Sequence, residues 1–289
     1  MPTKIEKDSL SGRDTTGHEW DGLKELNTPL PKWWLWTFYA CIAFSLVWVV
    51  VYPSLPIPGA TGTSGWIARE AVVRDVQEAE ARIAPMMTRL RAATPQQIVA
   101  DPEMRAFAMA GGRGAFANNC AGCHGAGGQG ATGGFPSLAD DEWIWGGSLA
   151  AIQQTITHGI RANESDDQRQ SQMPRFLADG VLTRPQVSDV AEYVLSLSNR
   201  ATDPAAAGRG ATLYAENCVA CHGEKGEGNR EVGAPRLSDQ VWLYGGDKAA
   251  IVQSISYARA GVMPSWGKRL DPAIINMLTV YVHSLGGGE

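Results

Sequence analysis

The first thirty positions mix charged, polar and isolated apolar residues, and the pattern then breaks abruptly. From Trp33 to Val51 the chain carries no charged side chain. At 1.5 Å rise per residue, that run as a helix just crosses a hydrocarbon core of about 30 Å. Pro31 stands before it and Pro53, Pro56 and Pro58 after it, so the helix is punctuated at both ends. Trp33, Trp34 and Trp36 cluster at one end, with Trp48 and Tyr52 near the other, as interfacial aromatic anchors do. A buried core helix would seldom stay uncharged for so long. A cleavable signal would begin with a short basic stretch and end on small residues. Here a long polar segment comes first and the exit is rich in proline. The pattern predicts a transmembrane anchor over residues 33–52. Lys24 and Lys32 lie on its N-terminal side, and no Lys or Arg occurs between Val51 and Arg69. The positive-inside bias places residues 1–32 in the cytoplasm and all that follows outside, in a bacterium the periplasm.

Past the anchor, Trp66 to Ala110 is dominated by Ala, Glu, Arg and Val, with Pro85, Pro95 and Pro102 as interruptions. Residues 53–107 are expected to form a helical connector without chemistry of its own.

The rest of the chain repeats itself. Gly112-Arg-Gly-Ala-Phe116-Ala-Asn-Asn-Cys120 matches Gly210-Ala-Thr-Leu-Tyr214-Ala-Glu-Asn-Cys218. Pro136-Ser-Leu138 matches Pro235-Arg-Leu237, and Trp143-Ile-Trp145-Gly-Gly147 matches Trp242-Leu-Tyr244-Gly-Gly246. Met173-Pro174 matches Met263-Pro264, and Tyr193-Val-Leu-Ser-Leu197 matches Tyr281-Val-His-Ser-Leu285. Each copy opens with a short helix and closes with an amphipathic one, carrying Val187, Val190, Tyr193, Val194 and Leu197 or Ile274, Leu278, Tyr281, Val282 and Leu285. A small residue in the first helix lets the last cross it closely, with the tyrosine at the crossing. A polar stretch around Asn163 to Gln170 is extra in the first copy and reads as a surface loop. The boundary is drawn at the Pro/Ala-rich Ala201-Thr-Asp-Pro204-Ala-Ala-Ala. The expected architecture is all-α: a single transmembrane helix, then two small helical domains in tandem over 108–200 and 205–289.

Composition adds limits. In 289 residues, 44% apolar, there is material for about two cores. A net charge of −5 argues against a nucleic-acid binder working through a basic surface. Of the five cysteines, Cys41 lies in the apolar run and is expected to pack as a small apolar residue. The other four carry the chemistry. Cys120-Ala-Gly-Cys123-His124 and Cys218-Val-Ala-Cys221-His222 both match C-x-x-C-H, the attachment sequence of c-type haem. Two thiols bond the porphyrin, and the adjacent histidine is placed under the iron. Cytochromes c complete such a site with methionine, which raises the reduction potential, and each repeat offers one Met-Pro: Met173 and Met263. Proline fixes the backbone beside the thioether. A zinc ribbon would draw both pairs into one site and would not need Met-Pro. A redox dithiol has no reason to carry histidine twice. Two covalently bound haem c groups are therefore expected, with His124 and His222 as proximal and Met173 and Met263 as distal iron ligands.

Other candidates rank lower. Met86, Met87, Met104 and Met109 precede both motifs and are expected to pack or face solvent, and Met277 to lie in core. His158 is the reserve ligand should Met173 not serve, and His283 sits on the closing helix. His18 precedes the membrane. Trp143, Trp145, Trp242 and Tyr244 either line the haem edge, where an indole N–H or phenol O–H could bond a propionate, or simply pack. Read copy by copy, Met263→Leu would lower the second haem's potential, but the sequence does not say whether each methionine serves its own repeat.

One stretch is more specific. His18-Glu-Trp-Asp21-Gly22-Leu-Lys-Glu25-Leu-Asn27-Thr-Pro29-Leu-Pro31-Lys-Trp33-Trp34 closely resembles the opening of the dihaem subunit III family of cbb3-type cytochrome c oxidases. With the anchor, connector and tandem haem domains, the resemblance covers essentially the whole chain. It implies an electron-transfer subunit of the bacterial inner membrane, not an enzyme on its own. Its partners would be a donor cytochrome c, a mono-haem cytochrome c subunit, the oxygen-reducing, proton-pumping haem-copper subunit and membrane lipid. The additional N-terminal membrane helix of some members has no counterpart here. A stand-alone dihaem shuttle would not need the residues before Pro53. A dihaem peroxidase would leave one iron open, against which the paired Met-Pro dipeptides argue.

Overall fold

The computed structural model describes residues 4–52 and 61–286; Pro53, Pro56 and Pro58 lie outside them. The chain forms two compact units, Met1–Arg82 and Ile83–Glu289.

In the first unit an antiparallel hairpin, β1 (Thr15–Trp20) and β2 (Leu23–Leu26), precedes the apolar helix α1 (Lys32–Val51). The hairpin is a feature the sequence reading did not draw. Its signal was present: Asp21-Gly22 turns the chain with both residues at positive φ, the Asp-Gly turn that favours a two-residue hairpin loop. Helix α1 buries none of its side chains within the chain, and Trp33, Trp36, Phe44 and Leu46 stand exposed. So continuous an apolar surface is stable in lipid rather than water. Its aliphatic hydroxyls are satisfied internally: Thr37 donates to the Trp33 carbonyl and Ser45 to that of Cys41, at 2.9 and 2.8 Å. Cys41 is exposed on α1, not packed inside the chain, because α1 has no covering element among the described residues.

Helix α2 (Ala68–Ala92) begins in the first unit and ends in the second. Pro85 lies within it without ending it, contrary to the expected interruption. The carbonyl it strands, on Ala81, belongs to an exposed residue and can bond water. Pro95 and Pro102 do break the chain, by starting helices. Thr94 and Asp101 cap α3 (Pro95–Ala100) and α4 (Pro102–Asn119), each with proline in the first turn. Also in the second unit are α5 (Ala121–His124), α6 (Leu149–His158), α7 (Arg184–Ser196), α8 (Pro204–Asn217), α9 (Val219–His222), α10 (Lys248–Tyr257) and α11 (Pro272–His283). Most of the expected linker is already helix: Asp203 caps α8 by accepting from the Ala206 N–H, and Pro204 opens it.

The packing departs from the order of the chain. Opening helix α4 packs against α11, the closing helix of the other repeat, while α8 packs against α7. At each crossing a glycine meets the facing backbone. A methyl group on Gly112 would overlap the Met277 carbonyl and the Tyr281 Cβ, and one on Gly210 the Asp189 carbonyl and Tyr193 Cβ. Phe116 and Tyr281 rings lie 5.4 Å apart, Tyr214 and Tyr193 4.9 Å. The close crossing is as expected, but the helices are exchanged between repeats. The reason is local. The connection from α7 to α8 is short, and short connections leave successive helices as antiparallel neighbours.

Buried Glu192 secures that connection. Its carboxylate accepts from Thr202 N–H and Oγ1 (both 2.8 Å), the Asp203 N–H (3.1 Å) and Lys248 Nζ (2.8 Å). The last part of the connector likewise joins the core. Leu90 and Ile98 are buried with Ala273, Met277 and Val280 of α11, and Met86, Met87, Met104 and Met109 pack around them. Arg91 forks onto Asp271 at 2.7 and 3.2 Å.

The Lys248 hydrogen bond, helped by the Thr202 and Asp203 donors and opposed by burial, pushes the Glu192 carboxyl down to about 2 from an ordinary 4.5. A folded value below the unfolded one stabilises fully above about pH 4.5, and the contribution fades as pH falls toward 2. Glu192→Gln should flatten the acid limb of stability in that window, read by denaturant titration of tryptophan fluorescence at stepped pH. Glu192→Ala, which strands two backbone donors, should cost about 3 kcal/mol at neutral pH.

Candidate haem centres

Each C-x-x-C-H is built the same way. Cys120 and Cys218 end the opening helices, and α5 and α9 are single turns carrying the second cysteine and the histidine. Gly125 and Gly223, at positive φ, stop each turn directly after the histidine. The chain then curls back so that a proline carbonyl reaches the imidazole: His124 Nδ1 is 3.0 Å from Pro136 O, and His222 Nδ1 3.0 Å from Pro235 O. A carbonyl only accepts, so Nδ1 carries the proton and Nε2 is left with its lone pair for a metal. Burial pushes both imidazoles below their ordinary range, keeping them neutral and ligand-ready near pH 7. The cysteines are free of disulfides, and burial raises Cys120 and Cys218 to about 11. No group of three or more His, Cys, Asp or Glu converges among the described residues, so the two pairs do not meet as a zinc ribbon would require.

The exchange of helices carries over to the methionines. Met263 packs with Cys120, Trp143, Phe116, Ile152 and Ile156 of the first repeat. Met173 packs with Cys218, Trp242, Tyr214, Ile251 and Ile255 of the second. The backbone repeats the crossing: Ile160 and Met263 exchange hydrogen bonds at 2.9 and 3.0 Å, Trp266 N–H donates to Ile156 O, and Phe176 N–H to Ile255 O. Each C-x-x-C-H pocket thus faces the Met-Pro of the other repeat. His158 is occupied by Ser165, 2.8 Å from its Nδ1.

One pair of indoles bears on what the pockets can hold. Among the described residues, the buried side-chain polar atoms without a hydrogen-bond partner are Trp143 Nε1 and Trp242 Nε1. A buried indole N–H left unpaired is costly, and the same atom is stranded in both repeats. A cleft of about 1000 Å³, lined among others by Pro136, Trp143, Cys221, Pro235 and Trp242, adjoins both. An acceptor arriving with a ligand, such as a porphyrin propionate, fits that need, so the residues present suit haem. Trp145 and Tyr244 have the other role left open, packing. Each lies over the glycine loop after the opposite C-x-x-C-H, Trp145 on Gly233 and Tyr244 on Gly134, beneath Arg169 and Arg259 at 5.2 and 4.8 Å.

Two residues near the sites escaped sequence reading. Glu164, in the expected surface loop, accepts from Ser265 N–H beside Met263 and pairs with Arg269 at 2.7 Å. Arg161 reaches both methionine loops. Neither has a counterpart in the other repeat or a motif around it, so periodicity and spacing carried no signal for them.

A helical chain with, among the described residues, one apolar membrane-length helix and two pockets of this kind is a membrane-anchored c-type cytochrome. Three family models match in succession: the N-terminal domain of cytochrome oxidase-cbb3, FixP, over residues 12–58; cytochrome c over 109–198; and cytochrome c oxidase, cbb3-type, subunit III over 205–282. The cbb3-type cytochrome c oxidase subunit CcoP of Azospirillum brasilense is 54% identical, covering 98% of this chain and 99% of its own. The corresponding subunit FixP of Azorhizobium caulinodans is 51% identical over 98% and 96%, and CcoP of Cereibacter sphaeroides 46% over the full length of both. The chain belongs to the CcoP/FixP family, subunit III of cbb3-type cytochrome c oxidases.

Trp143→Phe and Trp242→Phe remove the stranded donors. Each should lower the stability of the haem-loaded chain by about 1.5 kcal/mol, the scale of a hydrogen bond to a charged acceptor, and shift the propionate bending mode of its own haem in resonance Raman spectra.

Proposed function

We propose that this chain carries two covalent haem c groups and passes electrons singly from a donor cytochrome c toward the oxygen-reducing haem-copper subunit, by way of a mono-haem subunit. In this reading Cys120 and Cys123 would attach the first haem, and His124 and Met263 would hold its iron. Cys218 and Cys221 would attach the second, and His222 and Met173 would hold its iron. The positive-inside bias of Lys24 and Lys32 supports a cytoplasmic N-terminus and periplasmic haem domains.

The observation that carries the proposal is the closure of each C-x-x-C-H pocket by an apolar wall and a methionine loop. Haem held there supplies a reversible one-electron couple, tuned upward by a thioether. The chain's own residues do the rest. Pro136 and Pro235 orient the imidazoles, the methionine loops deny the irons an open position, and Ile152, Ile156, Ile251 and Ile255 exclude water. That arrangement suits electron transfer and opposes peroxidase chemistry, which needs an accessible iron.

Met263→Leu should abolish the sulfur-to-iron charge-transfer band and lower the potential of the haem on Cys120 and Cys123, leaving the other unchanged. Loss at the haem on Cys218 and Cys221 instead would refute the crossed assignment. Mass spectrometry should find two porphyrins on the mature chain, and the reduced chain should bind little carbon monoxide. Mild detergent extraction should recover a b-haem and copper oxidase with it; recovery of the chain alone would favour a free shuttle.

A further inference from the structure

Arg161 stands where the two exchanged loops come together. Its Nε donates to the carbonyl of Gly261 at 2.8 Å and its Nη1 to that of Ser171 at 3.1 Å. Gly261 lies two residues before Met263, and Ser171 two before Met173. One guanidinium therefore grips both methionine loops at the same offset. The equivalent position in the other repeat is Ala260, so the device exists once and serves both.

Three further observations single this residue out. Its backbone sits at φ 52°, a conformation unfavourable for a side chain-bearing residue and tolerated only where the surroundings enforce it. Its charge is half-buried, and no carboxylate among the described residues pairs with it; burial lowers the guanidinium from its ordinary range. Its planar fork can bond two carbonyls in fixed directions, which an ammonium cannot do equally well. The Met263 loop is held again beyond the methionine, where Glu164 accepts from the Ser265 N–H at 3.0 Å. Met263 is thus bracketed by Arg161 and Glu164.

We propose that Arg161 is a shared positioning residue for the two metal centres: by bonding Ser171 and Gly261 it sets both distal methionines at once and couples sulfur ligation at one haem to that at the other. This rests on the methionine assignments given under Proposed function. Loosening either loop shifts the guanidinium and weakens its hold on the other, so the two irons exchange sulfur for another ligand more readily together than separately.

The test uses the full-length chain with both haems, oxidised, in detergent, with imidazole as the competing ligand. Imidazole enters only after a sulfur leaves, so two slow phases are expected. Met173→Ala and Met263→Ala assign them, each converting one slow phase into a fast one. Arg161→Leu should speed both slow phases, each by on the order of tenfold for the loss of one charge-assisted hydrogen bond. Arg161→Lys, with the charge kept and the fork lost, should speed both by less, and it carries the comparison if the leucine variant fails to assemble. Acceleration of one phase alone, or of neither, overturns the shared clamp. If the unaltered chain shows no sulfur-to-iron band and no slow phase, the methionine assignment itself falls, and the clamp with it.

Discussion

Everything in the second unit depends on two helix crossings made close enough by glycine. Where α4 crosses α11 at Gly112, and α8 crosses α7 at Gly210, backbone meets backbone with no room for even a methyl group. Since α11 comes from the second repeat and α7 from the first, each crossing fastens one repeat to the other. The two pockets are therefore not separable along the chain. Each has its attachment turn from one repeat and its closing helix and methionine loop from the other. A strain or truncation in either repeat must be felt at both pockets.

The polar groups around the pockets divide sharply into satisfied and waiting. The His124 and His222 imidazoles already have their carbonyl partners, and burial lowers both below their ordinary range. The two indole N–H groups have nothing to bond. A protein tolerates stranded buried donors where a ligand completes them, and the same atom is stranded in both repeats. Around them the charges are tied up in holding loops: Glu192 on the α7–α8 connection, Glu164 on the Met263 loop, and Arg91 on the cap of α11.

The membrane helix shows the opposite economy. Nothing in α1 is buried within the chain, and its Thr37 and Ser45 hydroxyls are turned back onto their own backbone. Such a helix satisfies its backbone alone and leaves its apolar surface for lipid.

Much of this was legible in the residues. The uncharged run from Trp33 to Val51, the doubled C-x-x-C-H, the paired Met-Pro and the matched closing helices are local patterns, and local patterns determine helix type, membrane anchoring and the chemistry of attachment. Which helix closes which pocket is not a local property. The repeats are alike, so α11 has a suitable apolar face for α4 or α8, and periodicity cannot choose between them. The short connection after α7 and the buried Glu192 that ties it down make the choice, and only the tertiary structure contains it. For the same reason Arg161 and Glu164 looked like ordinary polar loop residues. Their meaning lies in what stands opposite them, about a hundred positions away for Gly261 and Ser265, brought there by the exchange.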